Sequence, residues 1–559
     1  MSKSRVYLAV MAMAITLASL FVASSSKGAA EDMSSVPLTG IVTSDAEGPM
    51  EGVLVKAKQG TITITVVSDE HGRYSFPADK LKPGEYSLAV RATGYNIPKT
   101  TVTVGGKTIT ADLKLSKVTT FQLADQLMPA EWDMSVPKSG RNSISGCGGC
   151  HTTAYVLKST YDVDGWKQTL LRMRSYEPGA SFTHPTTLPR KTPLVPRPED
   201  EQFAEYLASI NLSSKPTWDF ELKYYPRPKG KATKVIYTEY DLPRPDAEPH
   251  DAVTDAEGMI WYSDFNRPVF GRLDPKTGAT KEWDLPVMRP ENPPGSLSVN
   301  FDPRTGNPWI ARKFQAGVAT LDKKTDKVTT YPMPKEDYTI ETRTTFVGVT
   351  PDGTVCYDDT ENRKMYILTP DTGKTVGYDA YPGWKYDWAT GTSTGGVPHF
   401  MYGIAGGPNG MCYWGDPQNT NIGEIDPKTG KITLYPTPTP MSGPRRLNMN
   451  PDGQLWFAEA AAQKFAVFDI KTKQFKEWDN KPYAPYDVAG DKSGHAWTGG
   501  EPTDYVTRLD AKTGETVQYL LPTVNINIRR VHVYNFSNPP SMVVGENHRA
   551  KIVLVQPLE

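Results

Sequence analysis

Three kinds of hydrophobic patterning follow one another along the chain. From residue 36 to 116, short alternating apolar and polar runs such as "LTGIVTS", "GRYSF" and "GEYSLAV" are separated by "DAEG", "DEHG" and "KPGE". Period-two alternation bounded by Gly, Pro and Asp predicts strands with one buried face. From 119 to 217 the period changes. "DGWKQTLLRM" sets Trp166, Leu170 and Met173 at i, i+4 and i+7. "PEDEQFAEYLASINL" does the same with Phe203, Leu207 and Ile210, after Pro198 and acids at its start. Each predicts an amphipathic helix. The stretch between them, "PGASFTHPTTLPRKTPLVPRP", is too proline-rich for regular structure.

Beyond residue 233 the pattern repeats. A turn signature recurs as "DPKTG" at 274, "DKKTD" at 322, "TPDTG" at 369, "DPKTG" at 426, "DIKTK" at 469 and "DAKTG" at 510. After each comes an outer-strand segment, from "KEWDLP" to "QYLLP". Hairpins at intervals of about 40–50 residues predict propeller blades. One extra copy, "VIYTEYDLP", precedes the first repeat, and the last repeat, 524 to 559, lacks an outer strand. The early strand therefore completes the last blade. Six turns plus that closure predict seven blades, with sheet edges protected by the closed ring.

The predicted fold class is mainly β and multidomain: an immunoglobulin-like β-sandwich at 36–116, a small α-helical domain at 119–217 and a seven-bladed β-propeller at 233–559. Residues 1–30 read as a secretory leader. Lys3 and Arg5 precede "VYLAVMAMAITLASLFVA", and small residues follow at Gly28 and Ala30. An uncleaved anchor is the competing reading, and no other apolar run is long enough to span a bilayer. The expectation is an exported, periplasmic protein that does not span the membrane after leader cleavage. The net charge is −1 with acids and bases interleaved, which argues against a nucleic-acid partner.

Export sharpens the reading of "SISGCGGCHTTAYVL". Cys147 and Cys150 bracket two glycines and His151 follows at once. Cys-x-x-Cys-His is the spacing of covalent c-type haem attachment, with two thioethers and an imidazole on the iron. A thioredoxin-like dithiol would need a βαβ pattern, which is not present around it. The motif followed by the "W…RM" helix resembles the compact cytochrome modules of quinohaemoproteins. The expectation is one haem c, with His151 as proximal ligand and Met173 as distal ligand. A plain core methionine is the competing reading of Met173, His184 is the alternative ligand, and a five-coordinate iron is a third arrangement.

Two further resemblances follow from quoted residues. "DEHGRYSF" and "PGEYSLAVRATGY" resemble the carboxypeptidase regulatory-like domain, whose fold superfamily includes carbohydrate-binding modules; His71 falls in a turn there and reads as solvated. "GMIWYSDFNRPVFGRLDPKTG" and "GQLWFAEAAAQKFAVFDIKTK" resemble the virginiamycin B lyase (streptogramin lyase) propeller family. That resemblance implies elimination chemistry with Mg²⁺, histidines and a glutamate near the channel. Equivalent positions across the blades give Asp264, Arg312, Asp359, Asp416, Glu459, Gly500 and Glu546. Fourteen residues before each come His250, Ser298, Thr345, Tyr402, Arg445, Tyr486 and His532. His532 with Glu546, and His250 with Asp264, are candidate base–carboxylate pairs, with Glu546 and Asp264 as candidate Mg²⁺ ligands. Capping of turns is the competing reading of such repeated acids. Tyr486 stands where the resemblance asks for a second histidine, which His399 or His548 would have to replace; His495 reads as structural. Arg445, Arg446, Arg529 and Arg530 favour an anionic substrate. Cys356 and Cys412 occupy corresponding strands of successive blades and are expected as two buried thiols, with pairing as the alternative in an oxidising compartment.

Two functions compete on this sequence. One is an exported monohaem cytochrome in periplasmic electron transfer or oxidoreduction. Its propeller would bind a redox partner, a dehydrogenase, or a small phenolic, lactone or carbohydrate ligand. The other is a metal-assisted C–O lyase with the haem domain as accessory.

Overall fold

The computed structural model describes residues 37–559 apart from 141–142, 178–185, 191–192, 214, 388–391, 395 and 397. The predicted leader and His184 lie outside the described residues. Among the described residues, no helix is long and apolar enough to cross a membrane.

Among the described residues, those from 249 to 520 form six four-stranded antiparallel sheets, and three further strands after 528 join Val235–Asp241 in a seventh unit; these are here called blades 1 to 7. Their innermost strands begin at Pro249, Val299, Val347, Tyr402, Pro444, Asp487 and Ile528. Each packs on the next, and the strand Ile528–Tyr534 of blade 7 packs back on Pro249–Thr254 of blade 1, so the ring is propeller-like and continuous. The six turn signatures all fall between the third and fourth strands of blades 1 to 6. The fourth strand of blade 7 comes from the other end of this region: Val235–Asp241 pairs antiparallel with Lys551–Pro557 over its whole length.

Val235–Asp241 also pairs with Ile62–Val67 of the N-terminal region, Ile236 opposite Val66 and Tyr240 opposite Ile62. Blade 7 and the strands Ile62–Val67, Leu54–Gln59, Gly84–Arg91 and Thr100–Val104 are therefore one eight-stranded sheet. An unpaired outer edge is an aggregation hazard, and here each region's edge strand covers the other's. A second sheet built on Leu38–Ser44 closes the N-terminal core over Val42, Val55, Tyr74, Phe76 and Leu88.

Between these β regions lie, among the described residues, five short α-helices: α1 (Thr120–Gln126), α2 (Pro129–Ser135), α3 (Ala154–Leu157), α4 (Val163–Met173) and α5 (Glu199–Ile210). They gather around Ala124, Trp132, Trp166, Leu207, Ile210 and Trp218. The predicted apolar faces are inward only in part: Trp166 on α4 and Leu207 and Ile210 on α5 are buried, Leu170 and Phe203 are half-buried, and Met173 is exposed. Asp162 caps α4 by accepting from the Gly165 amide at 2.8 Å, and three acids in the first turn of α5 suit its N-terminal dipole.

Cys356 and Cys412 correct the expectation of two thiols. They form a disulfide between blades 3 and 4, with Cα atoms 6.5 Å apart. Second strands of neighbouring blades approach closely enough near the axis to fall within the usual 4.4–6.8 Å window.

The axis itself is crossed by a salt bridge. Arg446 of blade 5 donates both guanidinium nitrogens to Asp251 of blade 1, at 2.8 and 2.7 Å, and also donates to the Arg529 carbonyl of blade 7 at 3.1 Å. Asp251 accepts further from the Val299 amide of blade 2 at 3.3 Å. Both side chains are fully buried. Burial opposes ionisation of Asp251, but Arg446 and the His250 ring hold its carboxyl below the usual aspartate range. Removing one partner strands a buried charge, so Asp251→Asn should destabilise the chain by about 3–5 kcal/mol in urea unfolding. Because the folded-state value is depressed, the wild-type contribution should be complete above the unfolded aspartate value near 4 and be lost as pH falls below it, while the variant shows no such loss.

Candidate functional site

The Cys-x-x-Cys-His segment folds as a tight turn. Ser145–Gly149 is a single 3₁₀ turn anchored by the buried Ile144, whose carbonyl accepts from the Cys147 amide at 2.9 Å. Gly148 is required by contact: a Cβ there would lie 2.9 Å from Pro129 Cβ at the start of α2. His151 follows with Nδ1 2.9 Å from the Thr152 carbonyl. A carbonyl only accepts, so Nδ1 carries the hydrogen and Nε2 is left with its lone pair. Burial lowers the imidazole's pKa, keeping the ring neutral.

These residues face a cavity of about 1180 Å³, whose wall includes Cys147, Cys150, His151, Trp166, Leu170, Met173, Glu177 and Phe203. That exceeds the usual ~300–1,000 Å³ of small-molecule sites. Met173, the last residue of α4, is on the wall and 39% exposed rather than locked in the core. The Arg174–Asp200 pair, with contacts of 3.1 and 2.5 Å, ties the end of α4 to the start of α5 across the cavity mouth. Burial, with the neighbouring Cys150, pushes the Cys147 thiol up to about 11.

The turn rests on the ring. Asn527 donates to the Gly148 carbonyl at 3.1 Å and Arg529 donates to the Gly149 carbonyl. At the far side of the cavity, Glu177 accepts from Lys313 of blade 2 at 2.8 Å, both side chains being buried. Lys313 Nζ lies 2.9 Å from the centre of the Phe265 ring, and the Arg529 guanidinium 5.5 Å from it. Met128 accepts from the Asp504 amide through sulfur at 3.3 Å, and the Ala130 amide donates to the Pro502 carbonyl. The helices are thus fastened to one end of the ring by its own cations.

The other residues singled out from the sequence have separate partners. His532 Nδ1 accepts from the Thr254 amide at 3.1 Å, a stitch between blades 7 and 1; burial and Arg530 push its pKa down to about 3. His250 stacks on Phe265 at 5.0 Å, with Nδ1 2.9 Å from Asp251, and burial pushes it down to about 3. Asp264 accepts from Arg244 at 2.6 Å and from the Asn266 and Arg267 amides. That is the turn-capping role. Glu546 is buried beside Glu239, where Lys56 and Lys551 approach; burial and the Glu239 charge raise its pKa well above the usual range. Arg445 lies 3.7 Å over the Tyr486 ring and 3.3 Å from Glu501, and the Tyr486 hydroxyl pairs with that of Tyr402. His399 Nδ1 lies 2.5 Å from Asp416. Among the described residues, no group of three or more His, Cys, Asp or Glu is arranged to hold a metal ion.

Glu177, Lys313 and Phe265 carried no signal in the sequence. Glu177 sits in "SYEPG" and Lys313 at a blade corner, and only the docking of helices on ring joins them.

An N-terminal sandwich, a helical insert around a large cavity and a propeller-like ring define the class of architecture. Residues 37–116 match the carboxypeptidase regulatory-like domain. Among solved structures, the chain is similar to a streptogramin B lyase, at 21% identity and TM-score 0.49, over 59% of this chain and 100% of that one. It is also similar to virginiamycin B lyase from Staphylococcus aureus, at 18% identity and TM-score 0.48, over 57% and 98%. No curated protein matches the chain.

The raised Cys147 pKa makes a chemical prediction. Only the thiolate is alkylated, so Cys147, when unmodified in the folded chain, should react with iodoacetamide at pH 8 on the order of 10²-fold more slowly than an unperturbed thiol. Its rate should keep climbing to about pH 11, as peptide mass spectrometry would read.

Proposed function

We propose that this chain is an exported monohaem c-type cytochrome that works in electron transfer or oxidoreduction, with a seven-bladed propeller as its docking or substrate-binding body. The observation that carries the reading is the cavity itself: two cysteines, a neutral imidazole with Nε2 bare and a thioether line one space large enough for a macrocyclic cofactor.

The donor set suits that cofactor. Cys147 and Cys150 would hold it by thioethers, His151 through Nε2, and Met173 through sulfur. When bound, the haem supplies one-electron chemistry. The chain's own residues do the rest. Thr152 fixes the imidazole tautomer, Gly148 lets the attachment turn lie against α2, and the indole of Trp166 with Leu170 and Phe203 lines the cavity with apolar surface. Asn527 and Arg529 hold the attachment turn against the ring, so a haem held by Cys147 and Cys150 would be attached at a turn that rests on the propeller. A partner or substrate seated at that end of the ring would lie close to the haem.

The lyase alternative asks His532 to take a proton and Glu546 to hold a metal. His532 is buried and already accepts from the Thr254 amide through Nδ1, with its pKa pushed down to about 3, and Glu546 is buried beside Glu239, which raises its pKa. The redox reading is therefore the one proposed.

Pyridine haemochrome analysis of the purified chain should give one covalent haem, and Cys147→Ala with Cys150→Ala should abolish covalent attachment. Met173→Ala should remove the sulfur-to-iron charge-transfer band of the oxidised protein. A bis-histidine spectrum in the wild type would instead assign the distal position to His184.

A further inference from the structure

The Glu177–Lys313 pair has no part in attachment or in closing the ring, yet it is the costliest kind of contact to build. Both side chains are buried, and each comes from a different region of the chain. Glu177 lines the cavity. Lys313 belongs to blade 2 and is held against the face of Phe265. One Glu177 oxygen accepts from Lys313, and the other, Oε2, has no hydrogen-bond partner among the described residues. A replaceable tether between surfaces would not need a buried carboxylate with one oxygen unsatisfied, since apolar packing would hold as well.

The ordering of charge is also specific. The anion is on the cavity wall and the cation is behind it, on the ring side. A negative charge there favours whichever state of a group in the cavity is the more positive, and it does so in a setting of weak dielectric screening. The backbone supports the placement. The Glu177 amide donates to the Thr186 carbonyl at 2.9 Å, and the Leu188 amide to the Ser175 carbonyl at 3.0 Å. The carboxylate is thus presented from a paired segment.

We propose that Glu177 and Lys313 are positioning residues through which the propeller sets the reduction potential of the haem in the helical module. This rests on the haem reading above. In its ionised form Glu177 lowers the potential by stabilising the oxidised iron; burial raises its pKa, and the Lys313 ammonium at 2.8 Å opposes that rise. The ring is then part of the redox unit, because the charge that tunes the cavity is held by a blade.

The test is spectroelectrochemical titration of the holoprotein. At an effective dielectric of about 20, a unit charge about 12 Å away changes an equilibrium about tenfold. Glu177→Gln should therefore raise the potential by roughly that factor, ~59 mV for one electron. Glu177→Asp and Lys313→Arg, which keep both charges, should stay near wild type. If Glu177→Gln does not fold, the exchange Glu177→Lys with Lys313→Glu keeps the buried pair compensated and should also raise the potential, because the cation then lines the cavity. A potential unchanged or lowered in either neutralised or exchanged protein, with haem attached, overturns the inference and leaves the pair a structural tether. A chain without covalent haem fails the earlier reading instead, and the haemochrome assay tells the two failures apart.

Discussion

The Arg446–Asp251 bridge is the constraint on which the ring depends. A ring of sheets leaves its innermost strands facing an axis where backbone groups and side chains need partners away from bulk water. Asp251 answers for blades 1 and 2 and, through Arg446, for blades 5 and 7. Asp487 does similar work nearby, accepting from Asn448 of blade 5 and from the Val531 amide of blade 7. Each is a buried carboxylate with several donors converging on it, an arrangement whose desolvation cost is offset only when geometry is complete. The axial residues are fixed accordingly.

That rigidity explains why the histidines and acids near the axis behave as they do. His532 is held in an interblade contact with the Thr254 amide, His250 pairs with Asp251 and stacks on Phe265 within blade 1, and Asp264 is spent on Arg244 and two amides. Residues that stitch blades are poorly placed to change protonation during a reaction, because each change would cost ring stability. The groups facing open space are on the helical insert, around the cavity. The ring's contribution there is a set of cations and amides, Lys313, Arg529 and Asn527, that receive carbonyls and a carboxylate from the insert.

The second structural dependency lies at the outer edge. By pairing with both Lys551–Pro557 and Ile62–Val67, the strand Val235–Asp241 makes the ring and the N-terminal sandwich one sheet. Lys56 from the sandwich and Lys551 from blade 7 both approach Glu239 on that strand, so the seam is reinforced by charge as well as by backbone pairing. The insert is therefore held between two bodies that share a sheet.

Much of this was legible in the chain itself. The six turn signatures located every third-to-fourth-strand hairpin of blades 1 to 6. The spare strand "VIYTEYDLP" announced the closure of blade 7, and the spacing of Trp166, Leu207 and Ile210 marked inward helix faces. These depend on local periodicity and turn chemistry, which a sequence writes directly. The Cys147–Cys150–His151 motif was legible for the same reason, as a contact between near neighbours. The fusion of the sandwich with blade 7, the Cys356–Cys412 bridge, the shifted pKa values of His532 and Glu546 and the Glu177–Lys313 pair were decided only by tertiary structure. Each depends on which distant segments meet and on how much water is excluded when they do, and neither burial nor a partner hundreds of residues away is written in local pattern.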